Sequence, residues 1–244
     1  MCENHSAGFS RRALFTATAA GMAAAGVVAG VTAPAEAAGD NAVNAAAPNA
    51  ISPDEALKRL MAGNARYVAN TPNFKDFSVG RAARAAAQYP IAGLISCADA
   101  RVAPELLFDQ EPGELFVVRV AGNFVNTDGL ASLEYGVTFL GLPLIMVLGH
   151  SGCGAIAATI KVLKEHAKLP GHLPQLVAAI KPAIDLVEKA KAADPLGAAI
   201  VQNVRFTMAR LHHAQPIIAE AVASGRVKVV GGVYDIGSGR VTLV

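Results

Sequence analysis

Tryptophan is absent from the 244 residues, and cysteine occurs only three times, at positions 2, 97 and 153. A site built on an indole ring is excluded. So is a disulfide scaffold, which needs more cysteines than these. Charge is scarce as well: 16% of residues are Asp, Glu, Lys or Arg, and the formal net charge is +2. That balance marks neither a nucleic-acid-binding surface nor an acidic partner. Beyond the first 31 residues no segment reads as a membrane span. No internal repeat is found. Gly231-Gly232 and Gly237-Ser238-Gly239 form no phosphate-binding fingerprint, because no helix start follows them.

The N-terminus is the exception to this plainness. Ser10-Arg11-Arg12-Ala13-Leu14-Phe15 opens an uncharged Ala/Gly/Val stretch from Ala13 to Val31, and Ala33, Ala35 and Ala37 give two overlapping A-x-A cleavage patterns. This layout predicts a signal peptide over residues 1–38, with the paired arginines pointing to the twin-arginine route. The mature protein is then periplasmic or secreted, with no stable membrane association after cleavage. An uncleaved anchor is the other reading, but Ala and Gly make the stretch weakly apolar. Removal of residues 1–37 takes Glu3, Glu36, Arg11 and Arg12, two charges of each sign, so the net charge stays near +2. Cys2 leaves with the signal, and only Cys97 and Cys153 remain.

Residues 39–51 are Ala/Asn-rich and predict a flexible lead-in to a single domain over 52–244. Ser52-Pro53-Asp54-Glu55 reads as a helix start, with Ser at the cap, Pro at the first position and Glu three after the cap. That helix runs to about Asn70, and a short one covers Ala82 to Gln88. Strands and helices then alternate. Ile91–Ser96, Leu115–Val120 and Leu142–Leu148 read as strands, with helices over Gly129–Phe139 and Gly154–His166. Further helices are expected over Val177–Lys191 and Asn203–Ser224, and final strands over Val227–Tyr234 and Val241–Val244. The pattern is α/β: a mainly parallel central sheet flanked by helices.

Cys97, His150 and Cys153 make a three-ligand zinc set. Thiolate and imidazole suit Zn²⁺, and three protein ligands leave a fourth tetrahedral position open, as catalytic sites do. His150 and Cys153 stand three apart; Cys97 comes from a distant segment. The apolar runs before Cys97 and His150 are near-continuous, so both residues fall at the ends of buried parallel strands, where open α/β sheets place their sites. Gly152-Cys153-Gly154 starts a helix, whose N-terminus favours the thiolate of Cys153. Two core cysteines with a loop histidine, or a Cys97–Cys153 disulfide in an exported protein, are the alternatives.

The same residues belong to a longer pattern. It runs through Cys97-Ala98-Asp99-Ala100-Arg101-Val102, Pro104-Glu105, Phe108-Asp109 and Pro112-Gly113-Glu114-Leu115-Phe116-Val117-Val118-Arg119. It continues through Ala121-Gly122-Asn123, Glu134-Tyr135 and Gly149-His150-Ser151-Gly152-Cys153-Gly154. This set resembles the β-class carbonic anhydrases, with coarser similarity from about Ser52 to the C-terminus. The resemblance implies a lyase, carbonate dehydratase, that hydrates carbon dioxide to bicarbonate and a proton. It also implies zinc on Cys97, His150 and Cys153, and a homodimer or higher homo-oligomer. Asp99 and Arg101 are implied as a catalytic dyad beside the metal. Asp99 either orients the attacking water or swings in as a fourth ligand that closes the site; a bidentate Arg101 decides between the two. Arg119 and Tyr234 match two of three residues of a bicarbonate-binding pocket found in some members. The third position, usually Trp, is Leu94 here. Two alternatives stand beside this function: a related zinc hydrolase acting on carbonyl sulfide or carbon disulfide, and a non-catalytic zinc-binding protein. His212 and His213 are adjacent on a helix and diverge by about 100°, so they read as surface or interface residues, as do His166 and His172.

Overall fold

Apolar runs without alternation become strands covered on both faces. β1 (Ala92–Ser96) and β3 (Leu144–His150) are buried at every position. β2 (Leu115–Arg119) flanks β1, and β4 (Lys228–Tyr234) flanks β3, all four parallel. β5 (Val241–Leu243) returns antiparallel along β4, giving the order β2-β1-β3-β4-β5. The computed structural model describes residues 47–73 and 76–244, all within one compact unit. The expected signal peptide and most of the lead-in lie outside the described residues.

Eight helices complete the described residues: α1 (Pro53–Val68), α2 (Arg81–Ala86), α3 (Pro104–Leu107), α4 (Thr127–Phe139), α5 (Gly154–Glu165), α6 (Leu173–Ala190), α7 (Pro195–His212) and α8 (Ile217–Ala223). The cap of α1 forms as expected, with Ser52 Oγ accepting the Glu55 N–H at 3.1 Å. The pleat sends alternate strand residues to opposite layers. Leu94, Met146, Leu148 and Tyr234 pack with Ala56 and Leu60 of α1 and Leu107 of α3. Ile95, Ile145 and Val147 pack with Leu133 of α4, Val204 of α7 and Ile218 of α8. Each fully buried Leu or Ile contributes about 1.5–3 kcal/mol. A third cluster joins Ile156, Ile180, Ile184 and Ile200 around Cys97 and Cys153. It walls the site with aliphatic groups.

Two expectations are corrected. The single helix over Asn203–Ser224 is two helices. α7 begins earlier, at Pro195, where Asp194 Oδ1 accepts the Gly197 N–H at 2.9 Å. The break falls at Ala214–Pro216, since proline has no N–H to continue the helix. The lead-in is not free at its end. Asn49 is buried, and its Nδ2 donates to Pro90 O at 3.1 Å and Leu140 O at 2.7 Å.

Candidate metal centre

Two adjacent strands deliver two of the three donors. Cys97 follows the last residue of β1, and His150 is the last residue of β3, its parallel neighbour. Gly152 then takes a left-handed φ of 63°, which turns the chain so that Cys153 caps α5. All three side chains are buried, and their ligand atoms lie within 4.8 Å of one another. The two sulfurs are 4.0 Å apart and both cysteines are free, so no disulfide joins them.

Each donor is held by backbone bonds. His150 Nδ1 lies 3.0 Å from Ser151 O. A carbonyl only accepts, so Nδ1 carries the proton and Nε2 keeps its lone pair. Ser151 is itself strapped to the end of β4: its N–H donates to Tyr234 O at 2.8 Å, and its Oγ accepts the Ile236 N–H at 3.0 Å. Cys97 Sγ accepts the Gly122 N–H at 3.3 Å. Arg119 fixes the loop after β1, donating from Nε to Cys97 O at 3.0 Å and from a terminal nitrogen to Asp99 O at 2.8 Å.

The electrostatics follow from that enclosure. Among the described residues, His150 Nε2 is buried without a hydrogen-bond partner. A buried polar atom in that state is costly unless something binds it. Two sulfurs beside it complete a soft donor set that fits zinc. Without an ion the sulfurs share a proton. The Cys153 thiol donates to Cys97 and, against the effect of burial, brings the Cys97 pKa down to about 4. The same bond, with burial, pushes Cys153 up, although the amides at the start of α5 pull the other way. The helix terminus therefore does favour thiolate at Cys153, but Cys97 takes the charge first. Burial is the largest influence on the His150 pKa and alone would lower it; Cys97, the Ser151 carbonyl and Asp99 together outweigh it and raise it.

Asp99 borders the open side of the cluster. Its Oδ2 is 3.9 Å from His150 Nε2. Arg101 grips the carboxylate bidentately, Nε to Oδ1 at 2.9 Å and a terminal nitrogen to Oδ2 at 2.7 Å, and the Arg101 N–H adds a bond to Oδ1 at 3.0 Å. These bonds hold the Asp99 carboxyl well below the usual carboxylate range. Arg101 thus engages both carboxylate oxygens at the edge of the donor cluster.

The remaining candidates fall elsewhere. Arg119 spends its bonds on Cys97 O and Asp99 O, while the Tyr234 hydroxyl lies 3.5 Å from that of Tyr67. Among the described residues the two share no hydrogen-bond partner. Burial first, then the neighbouring Tyr67 hydroxyl, pushes Tyr234 up to about 12. Leu94 is fully buried in the core. His166, His172, His212 and His213 are all exposed. Asn203 of α7 went unnoticed in the sequence. Its signal is an amide on a helix face otherwise marked by Ile200 and Val204.

Comparison with known proteins agrees with this geometry. The family model described as "Carbonic anhydrase" matches residues 92–241. The carbonic anhydrase of Mycolicibacterium smegmatis is 41% identical over 199 residues, covering 80% of this chain and 95% of that protein. The solved β-carbonic anhydrase CcaA superposes with a TM-score of 0.61 at 27% identity, covering 78% of this chain and 87% of that one. A tetrameric β-carbonic anhydrase of Sordaria macrospora gives 0.60 at 26% identity, covering 68% and 86%. The strand-end donors, the sheet around them and these likenesses agree: the chain belongs to the carbonic anhydrase family, in its β class.

Proposed function

We propose that the protein catalyses the reversible hydration of carbon dioxide to bicarbonate and a proton, at a zinc ion held by Cys97 Sγ, His150 Nε2 and Cys153 Sγ. The observation that supports this best is the conjunction of three converging donors with a carboxylate held aside by an arginine. Zinc bound there supplies a Lewis acid that makes a water molecule acidic enough to act as nucleophile near neutral pH. Two thiolates and a neutral imidazole cancel the charge of the ion, so that acidity is weaker than at a three-histidine site, and activity rises with pH above about 7.

The protein's own groups do the rest. Asp99 Oδ2 accepts a hydrogen bond from the attacking water and turns a lone pair toward the carbon. Arg101 keeps Asp99 out of the fourth ligand position. That pairing argues against a permanently Asp-ligated, non-catalytic protein. Ile156 and Ile180, fully buried in the cluster that holds Cys97 and Cys153, give the donor set apolar surroundings. Amides at the start of α5, together with Arg101, stabilise the anion that forms. Arg119 positions the Cys97–Asp99 loop, which its two carbonyl bonds support better than direct contact with bicarbonate. Stopped-flow carbon dioxide hydration on metal-quantified protein, from pH 6.5 to 9, tests the reading. A zinc-loaded protein without hydration activity overturns it, and so does an activity that survives complete removal of zinc.

The same reading includes a homo-oligomer of at least two chains, supported by the tetrameric Sordaria relatives and by the amphipathic α1. Sedimentation showing an active monomer overturns that part. It also includes export of the protein, clipped after Ala35, Ala37 or Ala38, supported by the Arg11-Arg12 and A-x-A pattern. Among the described residues no helix is long and apolar enough to cross a membrane. Intact mass of extracytoplasmic protein locates the cleavage. Export that persists when Arg11-Arg12 is replaced by Lys-Lys refutes the twin-arginine route.

A further inference from the structure

Asn203 is a polar exception on an apolar helix face. It is 1% exposed, and its α7 neighbours Ile200 and Val204 pack into the core on either side. A buried amide costs free energy unless its groups are bonded. Nδ2 donates to Gly122 O at 2.7 Å, a carbonyl 81 residues earlier in the chain. Because a carbonyl only accepts, the NH₂ end must face Gly122. The other end, Oδ1, has no partner among the described residues. Stability alone does not favour that arrangement, since an apolar residue would fill the place without an unpaired oxygen.

Gly122 passes the constraint on. Its N–H donates to Cys97 Sγ at 3.3 Å, so a single residue is held by α7 on one side and aimed at a metal-ligating sulfur on the other. The aim depends on a left-handed backbone, φ 84°, and a Cβ at this position would come within 2.6 Å of Ile180 Cδ1. Gly122 is therefore pressed between α6 and α7 in a conformation suited to glycine. An N–H bonded to a thiolate withdraws charge from the sulfur and fixes its direction. Partners of this kind, one step removed from the ligands, tune metal sites.

We propose that Asn203 is a positioning residue of the metal centre: it holds Gly122 so that the Gly122 amide orients the Cys97 thiolate and tempers its donation to the ion. The proposal rests on the zinc reading above. Its test uses the full-length protein with zinc or cobalt(II) and reads chelator competition and the sulfur-to-cobalt charge-transfer band. Asn203→Leu should weaken zinc retention about tenfold to a hundredfold and shift the band. Thr207→Val, one turn along the same buried face, should leave both unchanged. Asn203→Asp keeps the shape and decides the matter if the leucine variant does not fold. Its carboxylate cannot donate to Gly122 O, so zinc retention relative to the unmodified protein should be lowest near pH 8. The deficit should narrow toward pH 6 as the acid form regains a proton. Variants that melt earlier but keep the unmodified zinc affinity and band overturn the proposal and leave the zinc reading standing. An unmodified protein that takes up no zinc overturns both.

Discussion

Arg101→Ala removes two of the three hydrogen bonds that hold the Asp99 carboxylate. The bonds lost are those at 2.9 and 2.7 Å; the backbone N–H at 3.0 Å survives the substitution. Asp99 Oδ2 already stands 3.9 Å from His150 Nε2, so a modest side-chain rotation carries the freed carboxylate into the fourth ligand position. Water is then displaced from the centre, and activity falls because the site closes. The size of the effect follows from exposure. A sheltered charged hydrogen bond is worth a factor of ten or more, but the Arg101 side chain is 58% exposed and screened, against 18% for Asp99. The two bonds together should therefore be worth about tenfold in kcat/KM rather than the hundredfold of a dry pair. The double variant Arg101→Ala/Asp99→Asn separates closure from loss of orientation. An amide ligates zinc poorly, so the double variant should regain a water ligand by zinc X-ray absorption while its activity stays low. Wild-type activity and a water ligand in Arg101→Ala at pH 8.5 would refute the gate and reduce Arg101 to a structural contact.

Three further outcomes follow from the geometry. Gly122→Ala puts a Cβ on a left-handed residue only 2.6 Å from Ile180 Cδ1, which must shift, and should cost about 2–5 kcal/mol in urea unfolding together with weaker zinc retention. Asn49→Ala leaves Pro90 O and Leu140 O without their donor, and should cost about 1–3 kcal/mol in the same assay while zinc content is unchanged. Metal-free protein should carry one thiolate per chain, read as absorbance near 240 nm that is lost as pH falls through about 4. Since the folded Cys97 pKa lies below that of an unfolded thiol, about 8.5, its contribution to stability is complete above that value and declines toward about pH 4.

Much of this was legible in the chain because the signals were local. Near-continuous apolar runs became parallel strands, and a strand end is where an open sheet can gather side chains from distant segments. Ser52-Pro53 opened α1 as read. The departures lie where a second local cap or a tertiary bond decides the structure. Asp194-Pro195 is a cap and first-turn pair as plain as Ser52-Pro53, and α7 begins there, eight residues before the expected start at Asn203. Asn49 looked like part of a flexible stretch because its partners, Pro90 and Leu140, are 41 and 91 residues away. No pattern in the sequence announces such a bond.

The metal centre divides in the same way. Donor identity was readable, since Cys97, His150 and Cys153 are soft groups at strand and helix ends. What makes them a centre is a set of bonds from elsewhere. Ser151 O fixes the proton of His150, Tyr234 O fixes Ser151, Arg119 fixes the Cys97–Asp99 loop, and Gly122 aims at the sulfur under the hold of Asn203. All five of these bonds use a backbone group, which every residue possesses and no motif displays. Three donors can be named from composition and spacing alone. Whether they converge within 4.8 Å depends on the Arg119 guanidinium of β2, the Tyr234 carbonyl of β4 and the Asn203 amide of α7 acting through Gly122. That dependence is why substitutions at Gly122 or Asn203, neither of them a ligand, are expected to reach the metal.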